Sequence, residues 1–461
     1  MENKLTRKYG LATSMCMVIG TVIGSGVFFR NEVILAAVGK HMGQGIAAWA
    51  VGGLITLAAA YVFGVLAMKY EKSDGLASFA EVLVGKRFGY LFGWFLAVIF
   101  YPATTGILAW VAARFTVILF GFHASAEFSG QTYMLALFYL IAIFALNTFS
   151  PKFSGKFQVS TTVIKIIPLV LMGVVGTVVG LSNGMTVANL HSTYVAQASG
   201  NPFLVSLVAT AFAYTGWDTL INLTAEIKNP KRNVPAALVS GMLIIISVYV
   251  LYFIGIFGSA PIQEISGGYG IQGAFRSIFS HFAGTGLFVF IVISCLGTLN
   301  GLTTGGQRMF YSLATRGNSI NPKMFSQIDE VSNVPNNSAT LFLLCTAVWI
   351  VSYGANYAGW YGDFFFDVSS YVPVTFNAFL IPIFIRVMAR EKGLGVFNRF
   401  IAPALATLGA LFMIYAVIYA EGMAVLIYLI VFSAIMALGL KFYHGKKAVA
   451  AEPVKRKVAL N

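Results

Sequence analysis

Charge is scarce in this sequence of 461 residues. Asp, Glu, Lys and Arg make up only 10% of the chain, whereas hydrophobic residues make up 58%. Soluble domains carry about 25% charged residues, so this composition excludes an ordinary soluble protein. The mean hydropathy is +0.80, and long apolar runs stand where charge is missing. The chain is therefore predicted to be an integral membrane protein.

Cysteine and histidine are also few, which argues against several kinds of site. Cys16, Cys295 and Cys345 all fall inside apolar runs without paired spacing. That spacing indicates neither a disulfide framework nor a zinc site. The five histidines are scattered, and the sequence contains no recognisable nucleophile–base pair. We therefore expect no metal, no cofactor and no enzymatic activity.

The apolar runs number about twelve, each near the ~20 residues that a helix needs to cross a bilayer. They cover residues 10–37, 44–68, 88–120, 132–149, 156–181, 203–227, 236–258, 282–314, 338–354, 368–388, 400–420 and 422–442. The predicted fold class is an all-α integral membrane protein with about 12 transmembrane helices. Between the spans, the outward segments 182–202 and 259–281 have room for small helices.

Basic residues outnumber acidic ones by 30 to 16, and their distribution predicts the topology. If the N-terminus is cytoplasmic, 25 of the 30 fall in inward segments, and the outward segments hold only Arg30, Lys40 and Arg276. The positive-inside rule then places both termini in the cytoplasm of a multi-pass protein in the cell membrane. The surplus charge is explained by topology and attraction to the lipid bilayer. No basic patch interleaved with aromatics predicts nucleic-acid binding.

Two short segments containing glycine, residues 18–29 and 211–218, interrupt the first and sixth apolar runs. An unwound helix exposes backbone groups that lipid cannot satisfy, so it persists only where it lines a cavity or binds something polar. Matching breaks in two halves of a membrane chain indicate a transporter's substrate site. Five spans per half also imply that the second half is inverted relative to the first.

This arrangement predicts four parts of the chain. The first inverted repeat covers residues 1–181 with helices 1–5, and the second covers 203–388 with helices 6–10. Helices 11 and 12 in residues 400–442 lie outside the repeat, and residues 443–461 form a cytoplasmic tail that we expect to be disordered.

At the first break, Gly24, Ser25 and Gly26 allow the chain to leave helical geometry at little steric cost. The half-helix that follows presents free N–H groups and the positive end of its dipole, which suits a carboxylate. A second interpretation remains open, because Gly20 and Gly24 also match a helix-packing pattern.

At the second break, unwinding around Tyr214 frees carbonyl oxygens at Phe212, Ala213 and Thr215, which suit an ammonium group. One break therefore supplies donors for an anion and the other supplies acceptors for a cation. A zwitterion is the predicted ligand. Asp218 lies at the start of the next half-helix, where a capping role and a substrate contact both remain open.

Lys165 lies near the middle of the fifth span, where a charged side chain costs about 2.5–3.5 kcal/mol on insertion scales. Gln158, Thr161, Thr162 and Lys165 follow three- and four-residue spacing and so share one helix face. Such a lysine predicts a fixed cation, a proton carrier or a structural tether to the broken first helix.

Several other residues are placed to face the cavity or its ends. Tyr249 and Asn300 have side chains that can form hydrogen bonds with the cavity. Glu226 lies at the cytoplasmic face, where a helix-end or gate ion pair is expected. Aromatic residues that can wall or gate the pocket are Tyr101, Tyr214 and Trp217, although most of the 40 Phe and 21 Tyr residues are expected only to pack.

Five stretches resemble the amino acid–polyamine–organocation superfamily, and more narrowly its L-amino-acid transporter family. They are residues 20–29, 161–168, 212–218, 225–235 and 294–301, within a resemblance that runs from about 8 to 440. The resemblance implies a 5+5 inverted repeat with broken helices 1 and 6, plus two extra C-terminal helices, working by alternating access.

The resemblance also implies roles for individual residues. It assigns the substrate carboxylate to Gly24, Ser25 and Gly26, and the α-amine to backbone at Phe212, Ala213 and Thr215. It makes Phe212 an aromatic gate, and gives Tyr249 and Asn300 positions that line or support the cavity. Lys165 matches the lysine whose ammonium replaces a sodium ion of coupled relatives, which implies transport without sodium.

Two departures from the family pattern stand out. The family often has Gly-Gly-x-Tyr after the second span, where residues 74–79 here read Asp-Gly-Leu-Ala-Ser-Phe. Loop 121–131 lacks the cysteine through which the light subunits of heteromeric transporters join a glycoprotein. We therefore expect no covalently linked ancillary subunit.

The leading hypothesis is a sodium-independent exchanger of small neutral L-amino acids, similar to bacterial alanine/serine/cysteine-type exchangers. Neutrality is inferred because Asp218 and Lys165 are the only ionisable residues near the breaks, and both have structural roles open to them. The alternatives are a proton-coupled symporter with Lys165 as carrier, and a nutrient sensor or channel without turnover.

Overall fold

The computed structural model describes residues 7, 9–38, 41–70, 75–120, 130–191, 201–259, 274, 278–279, 281–329, 332–361, 368–445 and 453–454. Helices dominate these residues, and the predicted all-α membrane fold is confirmed. Strands within them are limited to β1 (Ile328–Asp329) and β2 (Pro453–Val454), two short segments that pair in parallel.

The described helices are numbered here in chain order. They are α1 (Leu11–Val22), α2 (Gly26–Val38), α3 (Met42–Lys69), α4 (Leu76–Leu83), α5 (Lys86–Phe95), α6 (Tyr101–Leu119), α7 (Gly130–Phe149), α8 (Pro151–Ser182), α9 (Met185–Leu190), α10 (Pro202–Ala213), α11 (Thr219–Asn222), α12 (Pro230–Ser259), α13 (His281–Gly306), α14 (Met309–Thr315), α15 (Pro322–Phe325), α16 (Asn336–Tyr357), α17 (Val368–Arg390), α18 (Ala402–Glu421) and α19 (Ala424–Leu440).

Nine helices in the described part of the chain are long and apolar enough to cross a membrane. Three further apolar helices, α1, α10 and α19, are shorter. The first two are short because each is one half of a broken span, continued by α2 and by α11 respectively. The nine long helices, the two broken spans and α19 together account for the twelve predicted spans.

Backbone geometry explains where the two breaks fall. After α1, Ile23 leaves the helix for an extended conformation with φ −70° and ψ 97°. In the second break, Gly216 has φ +116°, a conformation that residues with a side chain rarely adopt. A Cβ atom there would also lie 2.9 Å from the carbonyl oxygen of Thr21. Glycine is therefore required at this position.

A π-helical turn at Leu96–Phe100 joins α5 to α6. Pro102 favours this turn because it has no N–H, so the carbonyl of Val98, four residues earlier, loses its α-helical donor. The indole of Trp349 donates to that carbonyl instead, at 2.8 Å. Such turns are frequent at functional sites, and this one immediately precedes Tyr101.

The long helices pack as one bundle around the two broken spans. α12 packs on α3 and α8, α1 packs on α12, and α13 packs on α6 and α8. The outer face of α8 shows exposed apolar side chains at Leu171, Val174, Val178 and Leu181. Their three- and four-residue spacing forms a continuous apolar stripe, as expected of a face turned to lipid.

The segments between the spans are described only in part. The small helix expected in segment 182–202 is present as α9. Most of segment 259–281, loop 121–131 except its last two residues, and the tail after residue 445 apart from β2 lie outside the described residues. The repeat boundaries stay predictions.

Candidate functional site

The two breaks lie against each other inside the bundle. Gly26 approaches the second break so closely that a Cβ atom on it would lie 2.7 Å from the Cα atom of Ala213. Tyr249, on α12, places its hydroxyl 3.1 Å from the carbonyl oxygens of both Val22 and Ala213. One buried tyrosine thus contacts the end of each broken half-helix.

The first break presents backbone donors. The N–H of Phe28 bonds the carbonyl of Ser25 at 2.9 Å, which starts α2 at Gly26. The first N–H groups of an α-helix have no acceptor within the helix, so those of Gly26 and Val27 are available to another acceptor. Ser25 is fully buried beside them. These donors and the helix dipole favour a carboxylate here.

The second break presents carbonyl oxygens. The Phe212 carbonyl accepts a hydrogen bond from the Thr215 N–H at 3.1 Å, and the Ala213 carbonyl lies in reach of the Tyr249 hydroxyl. A carbonyl oxygen has two lone pairs, so each can accept one bond more. The Thr215 hydroxyl is bonded to the Ala211 carbonyl at 3.0 Å. Backbone oxygens are therefore the acceptors that this break offers an ammonium group.

The helix-packing interpretation of the first-break glycines also holds. A Cβ atom on Gly20 would meet Thr162 Oγ1 at 2.0 Å, and one on Gly24 would meet Thr298 Oγ1 at 2.9 Å. The first span therefore packs on α8 and α13 through these glycines. Packing uses the absence of a side chain, whereas carboxylate binding uses backbone N–H groups, so the two roles are compatible.

Lys165 projects from α8 into a set of oxygen atoms at the first break. Its Nζ lies 2.6 Å from the carbonyl of Gly20 and also bonds the carbonyl of Ile23. From α13 it contacts the Ser294 carbonyl at 3.3 Å and Thr298 Oγ1 at 3.1 Å. The side chain is fully buried. These contacts tether the first break to α8 and α13 through Lys165.

A cavity of about 10 Å³ lies between the breaks. It has room for roughly one water molecule, so an amino acid needs the walls to move apart. No wall residue is ionisable. The walls are formed by Thr21, Val22, Gly24, Ser25, Gly26, Thr104, Leu108, Phe212, Thr215, Thr298 and Leu302.

Phe212 lies between this cavity and a larger one. Its side chain is largely buried, and the guanidinium of Arg30 lies over its ring at 5.7 Å from the centroid. Arg30 also bonds the Ser369 hydroxyl. Above them, a cavity of about 330 Å³ includes Arg30, Arg114 and Glu421 among its walls. Phe212 is therefore placed where a gate over the small cavity would lie.

The opposite side of the site is closed. Tyr9 pairs with the chain after the second break, through its N–H to the Glu226 carbonyl at 3.1 Å and its carbonyl to the Lys228 N–H at 2.8 Å. The fully buried Glu226 carboxylate forms an ion pair with Arg308 at 2.7 Å. The ion pair predicted for Glu226 is therefore present, with Arg308 as its partner.

Two predicted cavity residues lie elsewhere. Asn300 bonds Asn147, Ser154 and Gln158, each at 2.9 Å, and does not line the small cavity. Polar groups on α7 and α8 satisfy its amide, so Asn300 links α13 to these two helices, and a role in supporting the cavity stays a prediction. Tyr214 is also turned away from the small cavity, because its hydroxyl donates to the Trp49 carbonyl at 2.8 Å.

Three more predicted residues, Trp217, Asp218 and Tyr101, are buried beside the second break. Trp217 is buried and packs on Phe63 and Phe376. Asp218 occupies the N-cap position of α11 but makes no side-chain capping bond. Its carboxylate accepts instead from the Tyr101 hydroxyl. None of the three lines the small cavity.

Three features of the site were not predicted from the sequence. Arg30 was counted only as an outward charge, yet its guanidinium lies over the Phe212 ring. An ion pair was predicted for Glu226, but not its partner Arg308, which is distant in the chain and has no local pattern to signal it. The π-helical turn before Tyr101 could have been predicted from Pro102, because a proline inside a span removes one helical hydrogen bond.

A helical bundle in which two broken spans meet at a closed polar cavity defines a membrane transporter. The amino acid permease family matches residues 9–440, and the chain belongs to that family. It is therefore an amino acid transporter of the membrane and not an enzyme, as the sequence predicted.

Named relatives agree with this assignment. The serine/threonine exchanger SteT of Bacillus subtilis (strain 168) is 30% identical over 68% of this chain and 70% of that protein. The b(0,+)-type amino acid transporter 1 of Mus musculus is 24% identical over 75% of this chain and 70% of that protein. The crystal structure of MhsT in complex with L-phenylalanine shares the fold, with a TM-score of 0.64 at 14% identity, over 91% of this chain and 100% of that one.

Proposed function

We propose that this transporter exchanges small neutral L-amino acids across the cell membrane without sodium, by alternating access, with both termini in the cytoplasm. The observation that carries the proposal is the position of the Lys165 ammonium. It occupies a set of three backbone carbonyls and one hydroxyl between the first span and α13.

Oxygen donors of this kind suit a hard cation such as sodium. The ammonium supplies one positive charge at the same place and cannot leave, because it is covalently part of α8. A sodium ion would have to displace it. The geometry therefore supports a transporter that keeps its broken helix in place without a bound metal ion.

The substrate class follows from the two breaks. Gly24, Ser25 and Gly26 offer the carboxylate backbone N–H groups and a buried hydroxyl, while the carbonyls of Phe212, Ala213 and Thr215 offer the α-amine acceptors. The walls of the small cavity carry no charged side chain. A substrate with a charged side chain would be buried without a partner, which costs several kcal/mol. Small neutral amino acids fit best.

Alternating access is supported by the unequal closure of the two sides. A cavity of about 330 Å³ stands outside Phe212. On the inner side, the Tyr9 pairing and the Glu226–Arg308 ion pair close the bundle. Substrate passage inward requires those contacts to open. We expect the chain to work without a covalently linked partner, since loop 121–131 contains no cysteine.

Purified protein in proteoliposomes tests this proposal. Vesicles preloaded with unlabelled L-alanine should accumulate labelled L-alanine when all sodium is replaced by choline, and vesicles without internal amino acid should not. Uptake only with sodium contradicts the proposal. Uptake into empty vesicles driven by an imposed pH gradient would instead establish the alternative, a proton-coupled symporter. Binding without any uptake would indicate a sensor.

A further inference from the structure

Asp218 is a buried acid to which the exchange proposed above assigns no role. It lies at the second break, directly before α11, and its side chain is fully buried. The Tyr101 hydroxyl donates to its Oδ2, and no other side chain of the described residues hydrogen-bonds the carboxylate. No ion pair involves Asp218 in the part of the chain that the structure describes.

Within the described residues, the elements around Asp218 bring no charged side chain into hydrogen-bond or ion-pair contact with its carboxylate. α6 contributes Tyr101, which is the only titratable side chain among the described residues that contacts the carboxylate. α11 contributes Thr219 and Asn222, the first span contributes Thr21 beside Gly216, and α13 contributes Gly305 beside Tyr101.

Two cations belong to neighbouring elements, but both serve other groups. Lys165 bonds the oxygens of the first break, and Arg308 pairs with Glu226. Neither forms an ion pair with Asp218 within the described residues. The carboxylate thus relies on neutral hydrogen bonding alone.

We propose that Asp218 is a proton-binding site of this transporter, separate from Lys165, and that its charge controls the rate of transport. An ionised carboxylate buried without a cation costs several kcal/mol, and binding a proton removes that cost. The step is simple: an O–H bond forms on the carboxylate when water delivers a proton, and it breaks when water takes the proton away. No other reactant is involved.

Hydrogen bonds connect this site to the inner side of the bundle. The Tyr101 hydroxyl accepts from Asn222 Nδ2 at 2.5 Å, and Asn222 Oδ1 accepts from the Leu76 N–H at 3.2 Å. Leu76 begins α4, which the charge distribution places on the cytoplasmic side. Protonation of Asp218 changes the acceptor of the Tyr101 hydroxyl from a carboxylate to a carboxylic acid. The hydrogen bonds through Asn222 couple that change to α4.

Infrared spectroscopy tests the proton site without requiring transport. Above about pH 5.5, where ordinary Asp and Glu side chains are ionised, the purified wild-type protein should still show a carboxylic acid C=O band that disappears as the pH rises further, and Asp218→Asn should lack it. Tyr101→Phe removes a donor that favours the ionised form, so the band should persist to higher pH. A wild-type protein without such a band, or an Asp218→Asn protein that keeps it, overturns the proposal.

Glu391→Gln is the matched control. Glu391, the residue after α17, accepts a hydrogen bond from the Tyr70 hydroxyl at 2.6 Å, as Asp218 does from Tyr101. Unlike Asp218, Glu391 also forms an ion pair with Lys69. Burial acts to raise the pKa of Glu391, and the hydrogen bonds from Lys69 and Tyr70 outweigh it and hold that pKa below its usual value. The control variant should keep the band.

Counterflow of L-alanine, with equal pH on both sides of the vesicle membrane, provides the transport readout. The wild-type rate should change with pH, the Asp218→Asn rate should be flat, and the Tyr101→Phe profile should shift to higher pH. A wild-type profile retained in Asp218→Asn refutes the control of rate. If the wild type shows no counterflow at any pH, exchange is refuted, while the infrared result still decides the proton site.

Discussion

Replacing Lys165 with alanine removes the ammonium from the first break. The carbonyls of Gly20 and Ile23 then lose a donor, as do the Ser294 carbonyl and the Thr298 hydroxyl on α13. Leaving a buried acceptor without its donor costs about 1–3 kcal/mol. The Thr298 hydroxyl lies 3.2 Å from the Gly20 carbonyl and 2.9 Å from the Ile23 carbonyl and can donate to only one of them, so one carbonyl of the first break loses its donor. That loss costs about 1–3 kcal/mol, which corresponds to a ~5-fold or larger loss of the binding-competent geometry.

The assay is counterflow of labelled L-alanine in proteoliposomes containing equal amounts of wild-type or variant protein. Lys165→Ala should transport at least ~5-fold more slowly. Lys156→Ala is the matched control, because Lys156 lies on the same helix but is exposed. Wild-type rates in Lys165→Ala, at equal protein content, would remove the ammonium from the mechanism and refute the reasoning.

Three further substitutions test the site and its inner closure. Gly26→Ala places a Cβ atom 2.7 Å from backbone of the second break, so L-alanine binding should fall by ~10-fold or more. Gly43→Ala, which has open space, should bind normally; equal affinities would contradict the close approach. Tyr249→Phe removes the hydroxyl between the breaks and should slow counterflow by ~10-fold, a cost of about 1–3 kcal/mol; an unchanged rate would argue against this link. Arg308→Met breaks the buried ion pair of Arg308 with Glu226, which costs about 3–5 kcal/mol. A clearly lower melting temperature is expected in detergent, and an unchanged one would contradict it.

The sequence was sufficient to predict the spans and both breaks, because each depends on local pattern. An apolar run of span length predicts a membrane helix, and Gly24 to Gly26 or Gly216 inside such a run predicts an interruption. Lys165 was predictable as a constrained cation for the same reason, since an unpaired charge inside a span is costly.

Contacts between distant segments were not predictable in this way. Many polar residues of the sequence could form hydrogen bonds with the amide of Asn300. Only the packing of the helices shows that its partners lie on α7 and α8. Asp218 looked like a helix cap from its position, but the π-turn before Tyr101 brings a hydroxyl to it instead. The direction of a side chain across a bundle depends on such local irregularities, which spacing rules leave out.

The central claim is that backbone groups of the two breaks hold both charged ends of one small zwitterion. Competition against labelled L-alanine binding to the purified transporter tests this most directly, with propionate lacking the amine and ethylamine lacking the carboxylate. Unlabelled L-alanine should displace the label, and neither analogue should do so at the same concentration. Displacement by either analogue as effective as that by L-alanine would contradict the claim.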